Sequence, residues 1–142
     1  AFFINTQIMI THQTQIRVRY GEVDQMGFLY HAHYVEYFDT ARTELIRSLG
    51  ITNRELEEKG IMLPVLNVNI NYGTPATYDD LITIRTTLRE MPRVKITFHY
   101  EVLRGEELLT TGSVTLAFMN SKTKRAIRPP HELMEILAPY FK

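Results

Sequence analysis

Residues 20–42 read Tyr20-Gly-Glu22-Val-Asp24-Gln-Met-Gly27-Phe-Leu-Tyr30-His31-Ala-His33-Tyr34-Val-Glu36-Tyr37-Phe38-Asp39-Thr-Ala41-Arg42. In the second half, Tyr34, Tyr37, Phe38 and Ala41 recur at steps of three and four, and Leu45 and Leu49 continue the series. That spacing predicts one long amphipathic helix over 31–49, with Gly50 as its stop. Thr52 and Glu55 have capping-box spacing for a short second helix, which Gly60 would end. The first half of the stretch has no such period and reads as a polar loop. Before it, residues 14–20 read as a strand.

Beyond the helices the period becomes two. Leu66, Val68, Ile70 and Tyr72 alternate with Asn67, Asn69 and Asn71. The same alternation runs through 82–88, 94–102 and 113–118, which predicts four half-buried strands in meander order. Pro129-Pro130 can open a last short helix carrying Leu133, Ile136, Leu137 and Tyr140. A long antiparallel meander is strongly curved and needs a cover for its apolar face. The single long helix can supply it. The expected class is α+β, a curved antiparallel sheet wrapped around one long central helix. One domain is expected over 14–142, with 1–13 as an N-terminal extension in which Met9 is a candidate natural start and the residues before it a cloning remnant or an alternative start.

The composition narrows the function. Sixteen basic and sixteen acidic residues balance, which argues against a dedicated nucleic-acid binder. There is no cysteine, so disulfides, thiol nucleophiles and cysteine metal sites are excluded. No apolar run approaches the roughly 18–20 residues of a membrane span, and the N-terminus lacks a signal-peptide pattern. A cytoplasmic protein without membrane insertion is expected. Ser48, Ser113 and Ser121 lie in no nucleophile elbow.

The chemistry gathers between the first strand and the helix. Backbone N–H groups at a helix start lack intrahelical partners and can hold an oxyanion. Asp24, seven residues before His31, can face the same point as general base or nucleophile. On the residues alone, Asp24 is equally a turn former, Gly27 a tight-turn glycine, and His31 and His33 exposed loop or cap residues. A metal held by Asp24, His31 and His33 is disfavoured, because the two histidines point apart. Glu36, Asp39 and Glu44 along the helix read as a solvated or salt-bridged face.

The pattern Tyr20-x-x-x-Asp24-x-x-Gly27-x-x-Tyr30-His31-x-x-Tyr34, followed by Ala41-Arg42, resembles the signature of the 4-hydroxybenzoyl-CoA thioesterase family. It is especially similar to bacterial acyl-CoA thioesterases of the Tol–Pal-associated type. The resemblance implies a hotdog fold from about Thr14 onward. It implies Asp24 as the catalytic carboxylate, the His31 N–H as oxyanion donor, and Tyr20 and the His31 side chain as active-site neighbours. Gly27, Tyr30 and His31 form the expected oxyanion and substrate-positioning set. Glu22 replaces the aspartate of the closest members, and Gln25-Met26 stand where smaller residues are frequent.

The implied reaction is hydrolysis of acyl-CoA to acid and coenzyme A, with no cofactor or metal. Arg93, Lys95, Lys122, Lys124 and Arg128 are candidates for the phosphates of coenzyme A, or ordinary solvated turn residues. The asparagine stripe is expected to line something wet or an interface. A non-catalytic acyl-CoA-binding or partner-recruiting module is the alternative. An acyl-carrier-protein dehydratase ranks lower, since its His-Phe-Pro pattern is absent. Unpaired sheet edges predict a homodimer or homotetramer.

Overall fold

The computed structural model describes residues 9–141. The eight residues ahead of Met9, and hence the question of a natural start, lie outside this range. Strand β1 (Ile10–Arg17) leads through a 3-10 turn (Tyr20–Glu22) and a loop into helix α1 (His33–Ser48). Helix α2 (Asn53–Glu58), β2 (Ile61–Met62), β3 (Val65–Tyr72), β4 (Leu81–Leu88), β5 (Lys95–Arg104) and β6 (Glu107–Ala117) follow. The described chain closes with β7 (Met119–Asn120), α3 (His131–Leu137) and a 3-10 turn (Ala138–Phe141).

Five strands form one antiparallel sheet in the order β1-β4-β5-β6-β3, and β2 pairs with β7. Three features depart from the sequence reading. The first strand starts at Ile10, so residues 10–13 belong to the sheet and not to an extension. Helix α1 begins at His33, and His31-Ala32 form the turn ahead of it. Only β4, β5 and β6 are a meander. β3 crosses over to pair with β6, Tyr72 facing Thr110 and Val68 facing Val114. A period of two tells which face a residue takes, not which neighbour its strand chooses.

Helix α1 lies across the sheet. It buries Tyr34, Tyr37, Phe38, Ala41, Leu45 and Ile46, while Leu49 is only partly covered. These meet Ile82, Ile84 and Leu88 of β4, Ile96, Phe98, Tyr100 and Val102 of β5, and Val114 and Leu116 of β6 in one core. Phe38 stacks on Tyr100, with ring centroids 4.2 Å apart and an 11° interplanar angle. Gly112 makes this seat possible. A Cβ there would stand 2.8 Å from the Phe38 ring and 2.9 Å from the Asn69 carbonyl oxygen, below any ordinary contact. Helix α2 starts as expected, with the Thr52 hydroxyl accepting from the Glu55 N–H while the Glu55 carboxylate accepts from the Thr52 N–H.

β3 breaks the pattern of a half-buried strand. Val65, Leu66, Val68 and Tyr72 are all at least 40% exposed, because β3 is a sheet edge, with Ile70 partly buried against the core and Tyr72 edge-on to Tyr34 of α1. Its asparagines Asn69 and Asn71 open onto the polar outer face beside Arg85, Thr87, His99 and Ser113.

Candidate active site

The loop between β1 and α1 is built mostly from its own contacts. Glu22 anchors its start. The Glu22 carboxylate is buried and accepts from the Arg19 N–H at 2.9 Å, the Arg19 guanidinium at 3.1 Å and the Tyr37 hydroxyl at 2.6 Å. Burial alone would raise this carboxyl. The bonds from Arg19 and Tyr37 outweigh it and hold the group below the usual carboxylate range. The Tyr37 phenol is pushed up, by burial first and by Glu22 second.

Two residues on, the Asp24 N–H donates to the Phe28 carbonyl at 2.8 Å and the Gly27 N–H to the Asp24 carbonyl at 2.9 Å. This tight turn needs the left-handed backbone of Gly27, φ +82°. Asp24 Oδ1 accepts from the N–H groups of Met26 (2.9 Å) and Phe28 (3.2 Å). The turn thus engages one carboxylate oxygen of Asp24, Oδ1. Oδ2 has no hydrogen-bond partner among the described residues.

The far side of the loop is tied to the segment after β3, where the Leu29 N–H donates to the Ala76 carbonyl at 2.8 Å. The Tyr30 N–H donates to the Glu22 carbonyl and the His33 N–H to the Tyr30 carbonyl, both at 2.9 Å. The His31 N–H has no acceptor among the described residues. The Tyr72 hydroxyl donates to the His31 carbonyl at 2.8 Å.

Asp24 and His31 line the same open cavity of about 270 Å³, with Met26, Phe28, Tyr34, Tyr72 and Thr110. Larger depressions of about 620 and 630 Å³ lie at the β4–β5 loop and on the outer sheet face. Neither contains Asp24. Of the residues singled out by sequence, Asp24 and His31 converge, and Gly27 shapes the turn between them. Tyr20 and Tyr30 do not line this cavity. The Tyr20 ring is 78% exposed and edge-on to Tyr78, and Tyr30 packs on His31 and His33.

The basic residues lie elsewhere. Lys95 pairs with Ala117, whereas Thr110, on the cavity wall, pairs with Val102 and Tyr72. Seven residues of β6 separate these ends, about 23 Å at ~3.3 Å per residue. Arg93 and Arg128 flank an apolar groove at the Lys95 end with Val94, Pro129 and Met134. Lys122 and Lys124 follow β7, and Lys124 Nζ donates to the Ser121 carbonyl at 2.6 Å. None of these five basic residues lines the Asp24 cavity. The helix carboxylates are engaged locally, Glu36 with His33, Asp39 with Arg42 at 2.9 Å and Glu44 with Arg47 at 3.2 Å. Among the described residues no group of three or more His, Asp or Glu side chains gathers as a metal site, and no helix is long and apolar enough to cross a membrane.

Sequence reasoning missed three participants: Glu22 as a buried carboxylate, and Tyr72 and Thr110 as cavity wall. Only the strand pairing places the last two beside the loop.

Similarity to known proteins agrees with this geometry. The thioesterase-like superfamily matches residues 18–137. The acyl-CoA thioesterase YbgC of Haemophilus influenzae is 31% identical over 83% of this chain and 88% of its own. The long-chain acyl-CoA thioesterase FadM of Escherichia coli is 29% identical over 92% of this chain and 99% of its own. The crystal structure of DHNA-CoA thioesterase from Staphylococcus aureus superposes with TM-score 0.80 and 32% identity, covering 92% of this chain and 83% of that one. A strand–loop–helix site on a sheet wrapped around a helix, with these relatives, has one reading: the chain belongs to the hotdog-fold acyl-CoA thioesterases of the thioesterase-like superfamily.

Proposed function

We propose that this chain hydrolyses acyl-CoA thioesters, with Asp24 as the reacting carboxylate and the His31 N–H as oxyanion donor. The observation that carries the reading is the pairing of a half-used carboxylate with an unused backbone donor in one cavity. Oδ1 of Asp24 is held by the loop, which fixes the carboxylate and leaves Oδ2 for chemistry. As general base, Asp24 takes a proton from water as the oxygen attacks the acyl carbonyl. The oxyanion that forms is held by the His31 N–H near the positive end of α1. Its collapse breaks the C–S bond. Coenzyme A leaves as thiolate and is protonated, and the acid remains. Attack by Asp24 itself, through an anhydride that water then opens, needs the same arrangement. Neither route calls for a metal or an organic cofactor.

The same reading makes the active unit at least a dimer. β3 is an apolar edge strand, and a two-fold axis would let it pair with its own copy. Antiparallel pairing of β3 with β3 sets the Val65 end of one chain beside the Tyr72 end of the other. Lys95, Arg93 and Arg128 of one chain then approach the Asp24 cavity of the other, where the phosphates of coenzyme A need them.

Thiol release from a panel of acyl-CoAs, with Asp24→Asn beside the native enzyme, tests the reading. Hydrolysis should fall about 10²–10⁴-fold in the variant with the fold retained. Binding without thiol release by the native protein would point to an acyl-CoA-binding module instead. Near-native turnover in the variant would remove Asp24 from the chemistry.

A further inference from the structure

We propose that Tyr72 is a positioning residue for thioester hydrolysis, its hydroxyl holding the His31 carbonyl so that the His31 N–H stays aimed into the cavity. The proposal rests on the assignment of Asp24 and His31 above and adds a residue from a different strand. A backbone N–H is a useful oxyanion donor only if its direction is fixed before the charge forms. The His31 N–H lies in the Tyr30–His31 peptide plane, whose tilt against the following His31–Ala32 plane is set by the two torsions at His31, and each plane is pinned by one bond. The carbonyl of the Tyr30–His31 plane accepts from the His33 N–H at 2.9 Å. The carbonyl of the His31–Ala32 plane accepts from Tyr72 at 2.8 Å. The first bond comes from the helix itself. The second reaches across 41 residues from the end of β3, and nothing else among the described residues holds that carbonyl.

The surroundings of Tyr72 suit the task. Its ring sits edge-on to Tyr34, centroids 5.3 Å apart at 81°, and edge-on to the His31 ring at 6.4 Å and 89°. The next residue, Gly73, donates its N–H to the Leu109 carbonyl at 3.1 Å. A side chain at Gly73 would put a Cβ 2.6 Å from that oxygen, so the strand end is held tightly where the tyrosine leaves it. Partial burial and the nearby Tyr34 raise the phenol above its ordinary value, which keeps it a proton donor at working pH. Tyr72 also belongs to the edge strand expected to meet a second copy, so assembly and oxyanion geometry share one residue.

Tyr72→Phe keeps the ring and deletes only the hydroxyl. The expected result is a kcat lowered about 2–10-fold, the span of one ordinary hydrogen bond, with KM within about twofold. Thermal midpoint and solution mass should stay at native values. A purely structural role would move the midpoint or the mass and leave kcat per folded enzyme unchanged, which would overturn the proposal. A second readout is the backbone amide of His31 in an ¹⁵N-labelled sample. Its ¹H–¹⁵N shift should move in Tyr72→Phe while that of the Leu29 amide does not, and an unmoved His31 resonance would also overturn it. Asp24→Asn, measured alongside, separates the levels. If Asp24→Asn is inactive and Tyr72→Phe keeps native kcat, only the tyrosine assignment fails. If Asp24→Asn stays active, the reading of the whole site fails.

Discussion

Tyr37→Phe is the sharpest probe of how the loop is anchored. The substitution removes one oxygen and leaves the ring in place beneath α1, so the loss isolates the 2.6 Å bond to Glu22. A hydrogen bond to a charged, buried group is worth about 1.5–3 kcal/mol. Glu22 keeps its two bonds from Arg19, so the upper end of that range is the limit. At roughly 2–4 °C per kcal/mol for a chain near this size, the midpoint should drop roughly 3–12 °C. The pH dependence adds a sign. The folded Glu22 carboxyl titrates below its ordinary range, so its contribution is fully present above the unfolded value of about 4.3 and is lost as pH falls through the folded value. Without Tyr37 the folded value moves back toward the ordinary one. The gap between native and variant should therefore be constant above about pH 5 and narrow below about pH 4. Thermal midpoints at equal protomer concentration, taken at several pH values, measure both. A gap that stays equally wide in acid, or no gap at neutral pH, would refute the anchoring argument.

Other substitutions reach different parts of the structure. Gly112→Ala drives a Cβ into Phe38 and the Asn69 carbonyl, and should cost about 1–3 kcal/mol in a chemical denaturation series. Charge reversal at Lys95 or Arg128 should raise KM for acyl-CoA more than it lowers kcat, while a short thioester lacking the nucleotide is unaffected in steady-state assays. At acyl-CoA well below KM, mixing Asp24→Asn chains with Arg128→Glu chains should restore activity above either parent, about half of native per heterodimer and about a quarter in a random mixture under two-fold pairing. No recovery in a mixture shown by mass to contain heterodimers would assign each site to one chain.

The helix and the sheet faces were legible because burial imposes a period. Tyr34, Tyr37, Phe38, Ala41 and Leu45 carry it without interruption, and all five are buried. The crossover of β3 was not legible, since alternation in 66–72 fits any neighbour. The helix start slipped by two residues because His31 and Ala32 are turn residues with no marked preference against helix. Asp24 and His31 stood out because the contacts that bring them to one cavity arise within one short loop. Glu22 did not, because its partner Tyr37 lies 15 residues away and reads as one more core aromatic. Tyr72 looked like a core-facing strand residue, and only the register with Thr110 sets it against the loop.

The strand order also dictates a timetable for synthesis. β1 has one partner in the sheet, β4, and Ile10 must wait for Leu88. At roughly 5–20 residues per second, those 78 positions take a ribosome about 4–16 s to deliver. Throughout that interval β1, and after residue 48 the apolar side of α1, exist without the sheet that will bury them. The hairpins β4–β5 and β5–β6 then close from near neighbours, and closing the long β1–β4 loop costs the most chain entropy. The nascent chain is thus most prone to aggregation before residue 81 is made. Slowing elongation ahead of β4 should lower the soluble yield, whereas the same delay after β6 should not.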